Sequence, residues 1–523
     1  MNGAESLVET LAGHGVEICF ANPGTSEMHF LAALENPRIK PVLCLFEGVA
    51  TGAADGWYRM RDAPASTLLH LGPGLANGLA NIHNARRASS GMVNIVGDHA
   101  MAHLKYDAPL ASDIEGLARP LSHWVRRSVS ASAVAPDAAE AIAKAAEHPG
   151  KIATLILPGD ASWGDAGPPG GAPRIGVLPR VEAGRRAPDA GRVEQVARVL
   201  RSGEPAMIIV ANKATRGRAL ELVGRIAAAS GARLGSQFFT ARLERGAGRT
   251  PVERIPYAVP QAMAFLQGIR HLITVETGEP VAFFRYPDRP SLLKDQDAAV
   301  HTLVAPDEDS EMAFEMLLDA LGASAASALV QPRIETPMPS GALNPISIAH
   351  ALAVAIPENA IVVDESLTTG RETMGHTMGA RPHDLINNMG GSIGYATPVA
   401  TGAALACPDR RTLCMVGDGS AMYTIQSLWT QAREALPVTT IIFANNSYAI
   451  LKAEYANMGA GAAPGPRAAS MIDIDNPTID WLAMARSLGV PGMRVETAED
   501  FTQAVIASTR EEGPFLIEAK LYP

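Results

Sequence analysis

The chain has 523 residues, of which 47% are hydrophobic and 19% charged, and its net charge at neutral pH is −10. This length favours about three domains, and the composition is that of a folded globular protein, which excludes a disordered or fibrous chain. The negative charge also argues against a nucleic-acid-binding protein, because such proteins need clustered Lys and Arg to displace counterions.

Ten short apolar runs, separated by helical patterns, dominate the chain. They lie at 18–24, 66–72, 92–98, 153–159, 206–212, 271–277, 360–366, 412–418, 439–445 and 515–521. They lack strict alternation of apolar and polar residues, which is typical of parallel strands buried on both faces. The pattern predicts an α/β protein built from doubly wound parallel sheets.

Two stretches rich in Pro and Gly, 164–188 and 330–345, interrupt this pattern and have no periodicity of their own. Such stretches are typical of linkers. They predict three domains, at 1–165, 185–330 and 340–523.

The hexapeptide Val-Ala-Thr-Gly-Ala-Ala occurs at 49–54 and again at 399–404, each time before a strand that ends in glycines. The repeat predicts a shared architecture for the first and third domains. Its small residues also predict close helix packing.

The four cysteines show no CxxC or Cys/His spacing, and we interpret them as reduced core residues. No basic region precedes an apolar stretch at the N-terminus, and no window approaches the roughly 20 apolar residues that span a bilayer. These features predict a cytoplasmic protein with neither membrane nor nucleic-acid partners.

The loop Gly417-Asp418-Gly419-Ser420 follows a buried strand and contains no lysine. Glycine turns of this kind approach phosphates, but a carboxylate repels a phosphate unless a divalent cation lies between them. Asn445 ends the next strand, 27 positions after Asp418. Oxygens of Asp418 and Asn445, with a backbone carbonyl near Ser447, would suit Mg²⁺.

Gly417-Asp418-Gly419 followed by Asn445-Asn446 resembles the thiamine diphosphate-binding motif, and the resemblance extends over the whole chain in the order pyrimidine-binding, central and diphosphate-binding domains. The resemblance implies that Glu47 activates the aminopyrimidine at N1′, that the Gly391 carbonyl accepts a hydrogen bond from N4′, and that Ile393 wedges the cofactor into a bent form. It also implies cofactor contacts from Asn22, Pro23, Gly24, Leu367, Thr368, Gly417, Gly419, Ser420, Tyr423, Ser447, Tyr448, Ala449 and Ile450.

Within this family the chain most resembles the benzoylformate decarboxylases, through the segments 21–30 and 68–74. The resemblance gives His70 and Thr25 catalytic roles in handling protons and substrate polarity. Arg285 stands near the place of a second catalytic histidine, and an arginine binds a carboxylate but cannot donate a proton at neutral pH. The substrate pocket is expected to include Arg285, Leu110, Ile450 and Leu451.

These features predict non-oxidative decarboxylation of a small-molecule 2-oxo acid to an aldehyde, dependent on thiamine diphosphate and Mg²⁺ and with carboligation as a further outcome. An acetolactate synthase-like carboligase, acting on 2-oxo acids or aldehydes, is the alternative. Pyruvate decarboxylase fits worse, because Leu451 stands where that enzyme has a glutamate. A dinucleotide-dependent oxidoreductase would need a G-x-G-x-x-G fingerprint, which the glycine turns of this chain do not supply. The central domain shows no flavin-binding signature, so FAD is not expected. A scaffold with a vestigial site is disfavoured by the joint presence of Glu47, Asp418 and Asn445. The resemblance also implies that the first domain of one chain faces the third domain of another, with the two Val-Ala-Thr-Gly-Ala-Ala helices as the packing surfaces. We therefore expect at least a homodimer, and a homotetramer from paired dimers.

Overall fold

A computed structural model describes residues 1–167, 175–177 and 184–522, and these form three sheets with helices packed against them. The first sheet has the order β2-β1-β3-β4-β6-β5, and all of its strands are parallel. Its strands are β1 (Ile18–Asn22), β2 (Lys40–Leu43), β3 (Ala65–Leu69), β4 (Met92–Asp98), β5 (Trp124–Arg127) and β6 (Ile152–Pro158). The accompanying helices are α1 (Gly3–Gly13), α2 (Met28–Ala33), α3 (Glu47–Arg61), α4 (Leu71–Arg87), α5 (Ile114–Ala118), α6 (Ala131–Ala146) and α7 (Gly159–Trp163).

The central segment forms a smaller parallel sheet with the order β10-β8-β7-β11-β12. The strands of this segment are β7 (Ala206–Val210), β8 (Arg233–Ser236), β9 (Leu243–Arg245), β10 (Glu253–Arg254), β11 (His271–Val275) and β12 (Ala299–Val304). Its helices are α8 (Ala190–Arg201), α9 (Gly217–Ser230), α10 (Val259–Leu266) and α11 (Ser310–Ala320). Short 3₁₀ helices lie at Thr25–Glu27, Leu104–Tyr106 and Asn212–Thr215.

The third sheet has the order β17-β18-β16-β15-β13-β14-β9, in which β9 is contributed by the central segment and pairs antiparallel with β14. Its other strands are β13 (Ala360–Glu365), β14 (His383–Asn387), β15 (Thr412–Gly417), β16 (Val438–Ala444), β17 (Gly492–Val495) and β18 (Phe515–Lys520). The helices are α12 (Pro345–Ala355), α13 (Thr373–His376), α14 (Ala396–Ala406), α15 (Asp418–Ala421), α16 (Ser427–Arg433), α17 (Ala449–Asn457), α18 (Pro466–Ala469), α19 (Trp481–Ser487) and α20 (Ala498–Ser508).

The predicted α/β class with three parallel-dominated sheets is confirmed, and each of the ten apolar runs contains a strand. The proposed domain limits stay a prediction. Of the first linker, 168–174 and 178–183 lie outside the described residues. The stretch 330–344 of the second contains neither helix nor strand. No helix among the described residues is long and apolar enough to cross a membrane.

The two Val-Ala-Thr-Gly-Ala-Ala helices, α3 and α14, pack against each other within one chain. This corrects the expectation that they meet a second chain. The two backbones are in close contact at two glycines. A Cβ added to Gly402 would lie 1.8 Å from the Ala53 carbonyl oxygen, and one added to Gly56 would lie 2.1 Å from the Val399 carbonyl oxygen. Only residues without a side chain allow the backbones to approach so closely.

Candidate active site

Asp418 is the first residue of α15, directly after β15, and its carboxylate is buried. Oδ1 accepts the Gly419 N–H at 2.8 Å and Oδ2 accepts the Asn446 N–H at 2.6 Å. Asn446 adopts a left-handed conformation with φ of 54° to reach this position. Burial raises the pKa of Asp418 to about 6. A cation beside this carboxylate would offset the cost of burying its charge.

The neighbouring strand end brings the other predicted metal ligands to the same place. The Asn445 side-chain oxygen accepts the Ser447 N–H at 3.0 Å, and the Ser447 hydroxyl donates to Asp473 at 2.8 Å. Asp418, Asn445 and Ser447 all line one cavity. No cluster of three His, Cys, Asp or Glu side chains suited to a metal occurs among the described residues. The side-chain donors are instead one carboxylate, Asp418, and one amide, Asn445, which are oxygen ligands of the kind Mg²⁺ takes together with phosphates.

The same cavity has the features of a phosphate site. Ser420 Oγ is buried without a hydrogen-bond partner among the described residues. Gly419 cannot be replaced without a clash, because an added Cβ would lie 2.4 Å from the Tyr448 ring. The cavity is lined by Ser366, Leu367, Thr368, Thr369, Gly417, Asp418, Gly419, Ser420, Asn445, Ser447, Tyr448, Ala449 and Ile450. An unpaired hydroxyl and a tight glycine turn fit a diphosphate held through a divalent cation.

Two residues that sequence reasoning gave no role hold the loop containing Gly391 and Ile393. The Asn388 side-chain oxygen accepts the Gly391 N–H at 2.9 Å, and Gly391 has a left-handed φ of 75°. The fully buried Glu365 accepts the N–H groups of Tyr395 at 3.0 Å and of Ala396 at 2.9 Å, at the start of α14. Burial raises the pKa of Glu365 to about 7. A carboxylate that accepts two N–H groups at a helix N-terminus fixes the position of the loop before it.

A larger cavity of about 480 Å³ lies between the central and third domains. Predicted site residues on its wall are Leu367, Gly391, Ile393, Tyr423, Tyr448, Ile450 and Leu451. The central domain adds the aromatic side chains Phe238, Phe239, Tyr257, Phe283 and Phe284. These aromatics come from separate loops, so no local motif marked them. Arg285 and Leu110 are exposed and do not line this cavity in the single chain.

Glu47 begins α3 and is 5% exposed. One of its carboxylate oxygens accepts the side-chain N–H of Asn77 at 3.0 Å, and the other would lie 3.0 Å from a Cβ added to Gly74 on α4. A buried carboxylate at a helix N-terminus is favoured by the helix dipole. Glu47 is thus held rigidly between the starts of two helices.

His70 precedes α4, and its Nδ1 lies 2.8 Å from Oε2 of Glu27. The same Glu27 oxygen accepts the Gly24 N–H at 2.8 Å, while the other oxygen is buried without a hydrogen-bond partner among the described residues. Burial raises the pKa of Glu27, although the charge and hydrogen bond of His70 act to lower it. Thr25, in the 3₁₀ helix beside Glu27, is exposed. Sequence reasoning missed Glu27, although it stands two positions after Thr25.

The structure therefore brings the predicted site residues together in two groups. The third-domain residues share the two cavities described above, whereas Asn22, Pro23, Gly24, Thr25, Glu47 and His70 are held on the first domain. Among the described residues, those lining the two cavities include none from the first domain. One chain alone does not enclose the complete set.

Comparisons with known proteins agree with this geometry. The model of the thiamine pyrophosphate enzyme N-terminal TPP-binding domain matches residues 1–117, and that of the C-terminal TPP-binding domain matches residues 369–519. A Mycobacterium tuberculosis protein named provisionally as acetolactate synthase large subunit IlvX is 49% identical over 519 residues, covering 99% of this chain and 98% of its own. The benzoylformate decarboxylase of Pseudomonas aeruginosa is 27% identical, with coverage of 98% and 97%.

Solved structures show the same fold. The thiamine diphosphate-dependent 4-hydroxybenzoylformate decarboxylase of Rhodococcus jostii superposes with a TM-score of 0.84 at 24% identity, covering all of this chain and 99% of its own. The benzoylformate decarboxylase of Polynucleobacter necessarius gives a TM-score of 0.83 at 21% identity, with coverage of 100% and 98%.

Proposed function

We propose a reaction for this chain from one premise: it belongs to the thiamine pyrophosphate (thiamine diphosphate) enzyme family. The reaction is the non-oxidative decarboxylation of a 2-oxo acid, with release of an aldehyde. The observation that carries the proposal is the cavity at Asp418, where a buried carboxylate, a strand-end amide at Asn445 and the unpaired Ser420 hydroxyl converge. The site is suited to Mg²⁺ and a diphosphate.

Thiamine diphosphate, when bound, supplies an electron sink for the bond between the carboxylate carbon and the carbonyl carbon of the substrate. Asp418 and Asn445 would hold Mg²⁺ through side-chain oxygens, with a backbone carbonyl near Ser447 as a further ligand. The Ser420 hydroxyl lines the same cavity, has no hydrogen-bond partner among the described residues, and would donate to the phosphate. Ile393 and the Gly391 carbonyl would orient the aminopyrimidine end.

Glu47 would hold and return the proton at N1′ of the aminopyrimidine. Its fixed position between α3 and α4 supports this role, because a proton acceptor works best when its geometry is set before the reaction. His70 would deliver protons on the substrate side, with Glu27 holding Nδ1 so that Nε2 faces the reacting atoms. Thr25, exposed beside this pair, would contact the substrate.

The proposal is tested with purified protein, thiamine diphosphate and Mg²⁺ and a panel of aromatic and aliphatic 2-oxo acids. Release of CO₂ with one equivalent of aldehyde is the expected result. If the protein binds the cofactor and releases no CO₂ from any member of the panel, decarboxylation is not its reaction.

Carboligation is the second candidate, and a specific observation favours it: the 49%-identical relative carries an acetolactate synthase name. The cavity of about 480 Å³ also offers room for a second carbonyl compound. Incubation with a 2-oxo acid and an excess of aldehyde distinguishes the two. A hydroxyketone in place of free aldehyde would establish carboligation as the main activity.

A homodimer with shared sites follows from the separation of the two groups of site residues. Glu47 and His70 of one chain would complete the Asp418 cavity of another, and two dimers would pair into a tetramer. Mixing inactive Glu47→Gln and Asp418→Ala subunits tests this, because random heterodimers carry one site with both defects and one intact site. Activity should return on subunit exchange; if exchange is demonstrated and activity stays absent, each chain builds its own site.

A further inference from the structure

The large cavity between the central and third domains contains an arginine that the proposed reaction does not use. Arg254 ends β10, lines the cavity, and lies with its guanidinium carbon 4.5 Å from the centre of the Phe238 ring. One of its N–H groups donates to the backbone carbonyl of Arg371 at 3.1 Å. Among the described residues, no carboxylate lies within 4 Å of it.

Asp364, a carboxylate on the same cavity wall, is engaged by donors other than Arg254. Asp364 accepts the Ser366 N–H at 3.0 Å and also the hydroxyl of Ser366, and its other oxygen lies 3.5 Å from the Asn387 amide. Burial lowers the pKa of Arg254, and the more distant charges of Asp364 and Glu372 oppose that effect. A guanidinium has five N–H donors in a planar fork that matches a carboxylate. Among the described residues, the Arg371 carbonyl is the one hydrogen-bond acceptor of the Arg254 side chain, which lines the cavity.

The rest of the wall indicates the body of the ligand. Phe238, Phe239, Tyr257, Phe283 and Phe284 form a continuous cluster, with successive ring centres 4.7 to 5.9 Å apart. Phe283 and Phe284 are 45% and 43% exposed in the single chain, so this apolar surface is open to a ligand. An aromatic wall of this kind accommodates a ring or a branched apolar group.

The other charged residues on the cavity wall are Asp364, Glu365, Arg371 and Glu454. Asp364 and Glu365 accept the hydrogen bonds described above, whereas Glu454 lies on the tyrosine side. It is one of the causes that raise the pKa of Tyr257 and Tyr286, after burial. Arg371 lies over the Tyr257 ring at 5.6 Å. Arg371 thus adds a second positive charge to the wall, on the side of Tyr257, whereas Arg254 lies over Phe238.

We propose that Arg254 binds an acidic group at the far end of the substrate side chain, so that the preferred substrate is a 2-oxo acid with an apolar, ring-sized body and a terminal carboxylate. This inference rests on the proposed function. The reacting carboxylate leaves as CO₂ beside the cofactor residues. The terminal carboxylate stays bound to Arg254 and orients the carbonyl group.

The test uses matched pairs of substrates, in which one member carries a terminal carboxylate and the other does not. The aromatic pair is phenylglyoxylate and 4-carboxyphenylglyoxylate; the aliphatic pair is 2-oxohexanoate and 2-oxoadipate. With the wild-type holoenzyme, kcat/KM should be about tenfold or more higher for the acidic member of at least the aromatic pair, because hydrogen bonds to charged groups are among the strong ones. The difference should appear mainly in KM.

The variant Arg254→Met should remove this preference by lowering kcat/KM about tenfold or more for the acidic member, while the neutral member changes less than about threefold. Arg254→Lys should retain part of the preference for the acidic member, because lysine keeps the positive charge. Arg289→Met is the matched control, since Arg289 also lies over an aromatic ring, that of Tyr286 at 5.5 Å, but does not line the cavity. A purely structural role for Arg254 would lower kcat/KM equally for both members.

The outcomes separate this inference from the function beneath it. If both members of each pair release CO₂ and the wild-type enzyme does not prefer the acidic one, the role of Arg254 is refuted and the decarboxylase proposal stands. If Arg254→Met yields no folded protein, the test uses the wild type and Arg254→Lys. A wild-type preference for the acidic member that is weaker in Arg254→Lys supports the role of Arg254, and an unchanged preference refutes it. If neither member of either pair, nor any other 2-oxo acid, releases CO₂, both proposals fall together.

Discussion

Replacing Gly402 by Ala tests whether the α3/α14 contact governs the stability of the whole chain. An added Cβ would lie 1.8 Å from the Ala53 carbonyl oxygen, whereas ordinary van der Waals contact begins at 3.4 Å. The two helices must therefore separate by about 1.6 Å, and the obstacle is backbone that no side-chain rotation relieves. Overpacking of this kind costs about 1–3 kcal/mol or more, which outweighs the about 1 kcal/mol that Gly→Ala gains in helix propensity.

Thermal unfolding measures the result. We expect Gly402→Ala to lower Tm by about 4 °C or more, since 1 kcal/mol corresponds to about 2–4 °C in a domain of 150–250 residues. Gly375→Ala is the control, because Gly375 is an exposed residue of α13 and a Cβ there would meet nothing within 4 Å. That variant should unfold at or slightly above the wild-type temperature. A Gly402→Ala protein as stable as its control would show that the helices are not in close contact.

The other predictions concern chemistry and pH. Glu47→Gln should keep folding and Mg²⁺-dependent cofactor binding but lower turnover about 10²- to 10⁴-fold, the range of general acid–base catalysis; wild-type turnover would remove Glu47 from its role. Asp418→Ala should weaken Mg²⁺-dependent thiamine diphosphate binding about tenfold or more, measured by calorimetric titration, because a charged ligand is lost; unchanged affinity would contradict the metal assignment. Glu27→Gln should lower kcat more than it weakens cofactor binding, since Glu27 orients His70. Equal fold losses in kcat and in cofactor affinity would indicate that Glu27 and His70 have only a structural role. Burial lowers the pKa of His383 to about 3 from 6.5, so between these pH values the unfolded chain binds a proton and the native chain does not. The free energy of unfolding should therefore fall as the pH drops below 6.5, by about 2 kcal/mol at pH 5. In thermal unfolding, His383→Asn should lose less stability than the wild type between pH 7 and pH 5.

The sequence was most informative where strands end in polar residues. Asp418 and Asn445 follow two long apolar runs, and parallel neighbours in a sheet bring such residues to the same edge, as β15 and β16 do. The pairing could be anticipated because it depends only on strand order and direction. The role of Glu365 could not be anticipated in this way, because it depends on N–H groups 30 and 31 positions away.

The features that were missed depend on contacts distant in sequence. Glu27 and His70 are 43 positions apart, and a glutamate beside a short helix is ordinarily a solvated or capping residue. Arg254 ends a two-residue strand, too short for any periodic signal. β9 leaves the central segment to pair with β14, and its three residues carry no pattern that distinguishes one sheet from another.

The packing of α3 on α14 also bears on how a complete site arises. Because the first and third domains are joined through this buried helix pair, their site residues are held on surfaces of one rigid arrangement. Leu45 and Leu110 on the first domain remain exposed in the single chain. In the proposed dimer these apolar surfaces would be covered as Glu47 and His70 reach the partner's cofactor residues, with a gain of roughly 25 cal/mol for each Å² of apolar area removed from water. Assembly would then complete the site, and the burial that stabilises the dimer would also exclude water from the reacting carboxylate.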